Sequence, residues 1–464
     1  MKSSCDPRVA DHPCYSEAAH HFFARMHLGV APKCNIQCNY CNRKYDCSNE
    51  SRPGVIAERL TPDEALKKVA FVASQVKELS VIGIAGPGDA LANPEKTFTT
   101  MRLVKEAFPD LKLCLSTNGL KLLEYADEIA SIGVEHVTVT LNTFYVEKAM
   151  EVYSWVILDR KKETSREAFE EFLFRQQEGI KRLVEKDVLV KVNSLLIPGI
   201  NDGEMPTLSK KIKLMGAFMH NIMPLIAKAE HGTLFGLKGR PEPTAQELED
   251  VRAACGDSKQ MAHCRQCRAD AVGKLGEDRF MEMGKDTFLK AEITEDGGLA
   301  RREWKEKVEA IMERMKEKAM EAREEMGPPV GEYLIAACTK GMAVVNLHFG
   351  HAKEFLIYRV KGNEARLVNI RKVEQYCHGS NDCGEKEVTL ENIIKSIEDC
   401  DAVVCLRVGY GPHKELVSRG VLPVTDVPEE PLEAAVVKAA ERLAPSGRQK
   451  GKLQKEAINL GRSA

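Results

Sequence analysis

Cys34, Cys38 and Cys41 stand within eight residues, in the run Val30-Ala31-Pro32-Lys33-Cys34-Asn35-Ile36-Gln37-Cys38-Asn39-Tyr40-Cys41-Asn42. A C-x3-C-x2-C spacing offers an iron-sulfur cluster three thiolates rather than four, which leaves one iron open. An open iron can chelate the amino and carboxylate groups of S-adenosylmethionine, donate an electron into its sulfonium and release a 5′-deoxyadenosyl radical. Zinc ligation and coincidence are the alternatives for cysteines packed this closely. Tyr40, just before the third cysteine, and the motif's place near the start of a βα series favour the cluster and put Tyr40 beside the cofactor.

Further cysteines exceed what one cluster needs. Cys14 precedes the motif, Cys47 follows it by six residues, Cys114 lies two residues before Ser116, and Cys264 and Cys267 form the pair His263-Cys264-Arg265-Gln266-Cys267-Arg268. A C-x2-C flanked by arginines suits a metal centre, since both thiolates reach one cluster and the cations offset its charge. With Ala19-His20-His21 there are about six surplus candidate ligands, enough for two more clusters. For Cys47 or Cys114 taken singly, a small buried core residue is the competing reading.

These residues need a frame. Apolar runs rich in branched residues at 79–85, 111–116, 134–141, 188–197 and 217–223 read as buried parallel strands, with helical patterns at 62–78, 94–107, 120–132, 166–185 and 204–215 between them. The alternation predicts a complete or partial (β/α) barrel with its chemistry at the carboxyl ends of the strands, and a first short strand around 27–30 leads into the cysteine motif. The loop Gly86-Pro87-Gly88-Asp89 then falls on the active face, where Gly86, Gly88 and Asp89 can bind the methionine amino group. Ser116, Asn118 and Asn142, at the ends of two further strands, can hold ribose and carboxylate. Helix N-caps are the ordinary alternative for such residues.

The rest of the chain divides by composition. Residues 1–23 form a segment carrying cluster ligands, 24–282 the barrel with its C-x2-C extension, and 283–329 a charged linker in which 301–325 reads as one solvated helix. Residues 330–445 form a small α/β, ribonuclease H-like domain, with strands expected at 332–338, 342–347, 354–360 and 365–373 before helix and strand alternate to 443. Residues 446–464 are a basic tail. With 67 basic against 69 acidic residues and a pI near 6.7, no global field draws nucleic acid or an anionic membrane. The lack of a signal-like amino terminus or a run of about 18 apolar residues predicts a cytoplasmic protein. Fifteen cysteines there read as reduced metal ligands rather than disulfides.

The blocks His12-Pro13-Cys14-Tyr15-Ser16-Glu17, Ala31 to Lys44, Asn49-Glu50-Ser51-Arg52-Pro53-Gly54, Gly83 to Asp89, His220 to Leu225 and His263 to Asp270 resemble the NifB family of nitrogenase cofactor biosynthesis proteins, over about residues 10–282. Residues 332–443, with His348-Phe349-Gly350-His351-Ala352, resemble the small NifX-like domain that binds iron-molybdenum cofactor and its precursors. The resemblance implies a radical enzyme that fuses two [4Fe-4S] units into an 8Fe-9S cluster around a carbide drawn from the methyl of S-adenosylmethionine, with an extra sulfide. It implies that Cys34, Cys38 and Cys41 hold the radical cluster, and that Cys14, His20, Cys47, Cys114, Cys264 and Cys267 hold the two substrate clusters. The division of these six into trios stays open, and His20 rather than His21 rests on resemblance alone. Glu50 and Arg52 become catalytic candidates for relaying protons or orienting the nascent cluster, with solvated surface side chains as the alternative.

The implied partners are cluster-donating iron-sulfur assembly proteins, nitrogenase cofactor carrier and scaffold proteins and a low-potential electron donor, with no nucleic acid and no membrane. In the small domain His348, His351, Cys377, His378 and Cys383 are candidates for touching the product. A radical maturase acting on a peptide and a non-enzymatic cluster carrier are the competing classes. The first would carry a fuller cysteine-rich carboxyl-terminal domain, and the second has no use for an open-iron motif.

Overall fold

The computed structural model describes residues 6–44, 54–256, 259–293, 296–325, 331–373 and 386–443. The chain forms two compact units, Met1–Glu306 and Lys307–Ala464.

In the first unit, β1 (Ala24–His27), β3 (Leu79–Ile84), β4 (Lys112–Thr117), β5 (His136–Thr140), β8 (Leu189–Leu196) and β9 (Met219–Pro224) run parallel in that spatial order, and β10 (Val272–Gly273) joins β1 antiparallel. Among the described residues β9 and β10 are the two edges, so the barrel is partial. Helices α1 (Pro62–Gln75), α2 (Pro94–Ala107), α3 (Leu122–Ile132), α4 (Val146–Val152), α5 (Arg166–Glu185) and α6 (Met205–Leu214) link the strands. Local chemistry sets their ends. Thr61 and Glu64 form a reciprocal cap on α1 with Pro62 in its first turn, Ser165 caps α5, and α3 stops at Gly133 in the left-handed conformation.

Alternation along the strands decides which side chains enter the barrel. Met26, Ile82, Leu113, Leu115, Val137, Val139, Val190 and Val192 belong to the core shared with the helices. Their neighbours Arg25, His27, Cys114, Ser116, Thr138, Lys191 and Asn193 therefore project to the opposite, inner face.

Two features depart from expectation. β1 ends at His27, where the sequence pattern begins its strand, because the chain then leaves the sheet at Gly29, where a side chain would lie 2.7 Å from the Glu58 carbonyl oxygen. A separate sheet, β2 (Ile36–Cys38), β6 (Tyr153–Leu158) and β7 (Lys161–Glu163), was not legible at all, and it incorporates the cysteine loop itself through antiparallel pairing of β2 with β6.

Helix Leu299–Glu325 matches the charged segment, yet its start is anchored rather than solvated. Arg301 is buried and pairs with Asp110 at 2.8 Å, Trp304 donates to the Phe22 carbonyl at 3.1 Å, and Lys305 reaches Asp11 at 2.8 Å. Among the described residues no helix is long and apolar enough to cross a membrane.

The second unit has a five-stranded sheet of β11 (Glu332–Ala337), β12 (Glu354–Lys361), β13 (Glu364–Lys372), β14 (Ala402–Val404) and β15 (Leu422–Val424), in the order β13-β12-β11-β14-β15. The first three strands form an antiparallel meander, while β14 and β15 run parallel to β11, which is the ribonuclease H-like arrangement. The strand expected at 342–347 is absent. Met342 and Ala343 have positive φ values of 62° and 54°, and the segment forms an isolated bridge from Val344 to Pro431 with backbone bonds between Val345 and Glu429 and Glu430 rather than a strand.

Candidate metal and cofactor site

The carboxyl ends of β1, β3, β4 and β5 gather the cysteine loop, Gly86–Asp89, Asn118 and Asn142 on one face, as the sequence pattern requires. Cys38 ends β2 opposite Tyr153, the Asn39 amide donates to the Val152 carbonyl at 2.9 Å, and the Cys41 amide donates to the Cys38 carbonyl at 3.1 Å. Cys34, Cys38 and Tyr40 pack against one apolar group. Burial pushes the Cys34 thiol up to about 11 and the Cys38 thiol well above its ordinary value. Thiolates here therefore call for a metal to stabilise them.

The glycine loop is laced to the segment leading into Cys34. The Gly88 amide donates to the Ala31 carbonyl and the Asp89 amide to the Lys33 carbonyl, both at 2.8 Å, while Asn93 donates to the Lys33 carbonyl at 2.8 Å and accepts from its amide at 3.2 Å. A side chain at position 88 would meet the Lys33 carbonyl oxygen at 2.0 Å, so glycine is required by close approach. Gly86 borders Ala269 of the C-x2-C arm, and a side chain at Gly54 would lie 3.9 Å from Cys41 Sγ.

Asp89 is buried, and its carboxylate accepts from the Thr117 hydroxyl at 3.1 Å, the Leu91 amide at 2.9 Å and the Asn118 amide. Burial pushes its pKa up to about 6, and those donors pull the other way. Asp89→Ala leaves a hydroxyl and two amides unmatched and is expected to cost roughly 3 kcal/mol in urea denaturation. An unchanged midpoint would mean that the carboxylate is free for cofactor instead.

Asn118 donates to Asn35 Oδ1 at 2.7 Å and touches Cys34 Sγ at 3.8 Å, and its own oxygen takes the Leu120 amide at 2.9 Å as a turn cap. Asn142 donates at 3.0 Å to both the Tyr40 and Tyr153 hydroxyls and accepts from the Leu195 amide at 2.8 Å, so it brackets the cysteine loop to β8. Ser116 shares the inner face of β4 with Cys114.

A second group of thiols lies inside the barrel. Cys14, Cys264 and Cys267 pack against the group of Met219 and Met261, and Cys264 also meets Met223 Sδ at 3.8 Å in the apolar group that Cys34 and Cys38 line. Arg25 Nη2 donates to Cys267 Sγ at 3.0 Å. Burial raises the Cys14 thiol, with the charge of Lys191 opposing it and the neighbouring Cys267 and Cys264 adding to it. Burial pushes Cys114 up to about 12, again against Lys191. The arm is held by a buried Arg268–Asp270 pair at 3.0 Å and by the Ala269 amide on the Val55 carbonyl at 3.0 Å.

His20 is buried and its Nδ1 meets the Glu17 carbonyl. That contact assigns the proton to Nδ1 and leaves the Nε2 lone pair available, the tautomer a metal-ligating imidazole uses. Burial lowers its pKa to about 4, and its ring stacks on His263 at 4.7 Å. Among the described residues no three histidine, cysteine or acidic side chains converge as a single metal ion demands. A cluster, whose ligands sit on separate irons, does not require that convergence.

Cys47, Glu50 and Arg52, like Cys377, His378 and Cys383, lie outside the described residues. His348 accepts the Gly350 amide at 3.0 Å on Nδ1, and its ring lies 5.1 Å from that of the exposed His351. Arg25 and Lys191 escaped the sequence reading, although a lone charge within a buried apolar strand was the signal for each.

The family model for the radical SAM superfamily matches residues 28–212, and that for dinitrogenase iron-molybdenum cofactor matches residues 331–442. The FeMo cofactor biosynthesis protein NifB of Azotobacter vinelandii is 46% identical over 453 residues, 95% of this chain and 90% of that protein. Its counterpart from Klebsiella pneumoniae is 48% identical over 432 residues, 91% and 90% of the two chains. The chain belongs to the NifB family. It is therefore a radical S-adenosylmethionine protein of iron-molybdenum cofactor biosynthesis, whose cofactors are a [4Fe-4S] cluster and S-adenosylmethionine. Among solved structures, Streptococcus suis SuiB bound to S-adenosylmethionine overlays with a TM-score of 0.37 and 11% identity, across 50% of this chain and 46% of that one, too loosely to carry function.

Proposed function

We propose that the chain fuses two four-iron clusters, inserting a carbide from the methyl of S-adenosylmethionine and one added sulfide, to form the 8Fe-9S precursor of the nitrogenase cofactor. The observation that carries this is Cys264, whose Sγ meets Met223 Sδ at 3.8 Å in the apolar group that Cys34 and Cys38 also line, and which shares the group of Met219 and Met261 with Cys14 and Cys267, so that one apolar interior links the two sets of thiols. Cys34, Cys38 and Cys41 hold the resident cluster, which supplies the electron for cleaving S-adenosylmethionine. Cys14, Cys264 and Cys267 hold one substrate cluster, with Arg25 on Cys267 offsetting its charge. His20, Cys47 and Cys114 remain for the other. The neutral imidazole makes that ligand set less anionic than one of thiolates alone, which suits a cluster that must leave. Glu50 and Arg52 serve proton transfer and orientation.

The small domain, joined through helix Leu299–Glu325, acts as a tethered receiver of product, from which cofactor carrier and scaffold proteins collect it. Cluster-donating assembly proteins and a low-potential electron donor supply the barrel.

Anaerobic reconstitution with iron analysis and electron paramagnetic resonance tests the reading, with saturation expected near twelve irons per chain as about three four-iron clusters. Saturation near four would reduce Cys14, His20, Cys47, Cys114, Cys264 and Cys267 to structural residues.

A further inference from the structure

Lys191 is a lysine buried to 6% exposure inside the barrel. It sits on the inner face of β8, in register with Thr138 of β5 and Met219 of β9. Its ammonium reaches Met261 Sδ at 3.7 Å and stands 5.0 Å from the centre of the Tyr15 ring. No carboxylate of the described residues pairs with it. The other barrel cation differs, since Arg25 donates to Cys267 Sγ and to the carbonyls of Gly273 and Lys274. An ammonium taken out of water without a counter-ion is costly, and positions of this kind persist where an anion comes to meet the charge.

The surroundings identify that anion. Met261, which the ammonium touches, packs with Cys14, Cys264 and Cys267, and Tyr15 follows Cys14 in the chain. Cys114 faces the same interior from β4, where its row runs through His136 to Leu189, two residues before Lys191. Lys191 thus lies within reach of members of both groups of candidate ligands, and its charge acts on Cys14 and on Cys114 alike. Iron-sulfur clusters on thiolates are anionic, and two of them brought together in a dry interior repel strongly.

We propose that Lys191 is a positioning residue whose ammonium screens the two cluster substrates from each other at the place where they must join. This rests on the fusion reaction proposed above. It adds a shared counter-cation contributed by the strand rather than by either set of ligands.

The test compares wild type with Lys191→Met, which keeps the length and fits beside Met261 and Tyr15, and Lys191→Arg, which keeps the charge. Each is reconstituted anaerobically, then assayed for iron, 5′-deoxyadenosine and the reduction potentials of the clusters. A wild type that saturates near four irons defeats the fusion reading itself, whatever the variants do.

With wild type near twelve, Lys191→Met is expected to keep its radical cluster and to cleave S-adenosylmethionine. Its iron should fall to about eight or fewer per chain, and the remaining substrate cluster should be reduced at a more negative potential, because a positive charge has gone. Lys191→Arg should restore both iron and potential. Full iron with unshifted potentials in Lys191→Met overturns the proposal. So does loss of the radical cluster together with the fold in that variant, or a Lys191→Arg protein that behaves like Lys191→Met, since either would make the lysine a packing element.

Discussion

Alanine at Cys34, Cys38 or Cys41 is expected to reduce 5′-deoxyadenosine formation to the level of a protein-free control, while the barrel stays folded. The loop keeps its shape without the sulfurs, because backbone bonds hold it. Asn39 donates to Val152, Cys41 to Cys38, and β2 pairs with β6. What is lost is one of three thiolates, and a site with two has no means of retaining a cluster whose remaining iron must stay open. Chromatographic assay of 5′-deoxyadenosine under dithionite checks this, and iron analysis should show a loss of about four irons with the rest retained. Wild-type product in all three variants would show that the cluster which cleaves S-adenosylmethionine is held by other residues than these three cysteines.

A comparable loss should follow from a single methyl group at Gly88. The added carbon would lie 2.0 Å from the Lys33 carbonyl oxygen and 2.5 Å from the Lys33 carbonyl carbon. Both neighbours are backbone and cannot rotate away. The glycine loop and the segment entering Cys34 must therefore part, losing the two 2.8 Å bonds from the Gly88 and Asp89 amides. Overpacking with two broken buried hydrogen bonds amounts to roughly 3–5 kcal/mol, and the cofactor loop is displaced from the cluster loop.

Gly88→Ala should unfold at markedly lower urea and show no S-adenosylmethionine binding by calorimetry. Gly203→Ala is the control, since nothing lies within 4 Å of the added carbon there, and its midpoint should stay within about 0.5 kcal/mol of wild type. Equal midpoints for the two variants would refute the contact.

The amino-acid sequence by itself determined the chemistry and most of the frame. Cysteine spacing is a local property, so C-x3-C-x2-C and C-x2-C declare their ligand count wherever the chain goes. Buried parallel strands are continuous apolar runs, and α2 and α5 show helical periodicity with Pro94 opening the one and Ser165 capping the other, so these elements, β1 apart, were legible within a residue or two. The hairpin of β6 and β7 was not legible. Its turn, Asp159-Arg160, has positive φ values of 46° and 65° without the usual glycine or asparagine, and its partner strand lies more than a hundred residues earlier, inside the cysteine loop. Pairing across such a separation leaves no periodic trace.

The same reason governs the site. That Gly88 abuts Lys33, that Asn142 braces Tyr40, and that Cys14 meets Cys264 and Cys267 are contacts between distant segments. Only the folded, partly wound sheet decides them. Lys191 shows the division within one residue. Its charge in an apolar strand is visible in the sequence, but the inner face of β8, the lack of a carboxylate partner among the described residues and the nearby thiols Cys14 and Cys114 exist only once six strands have curled around it.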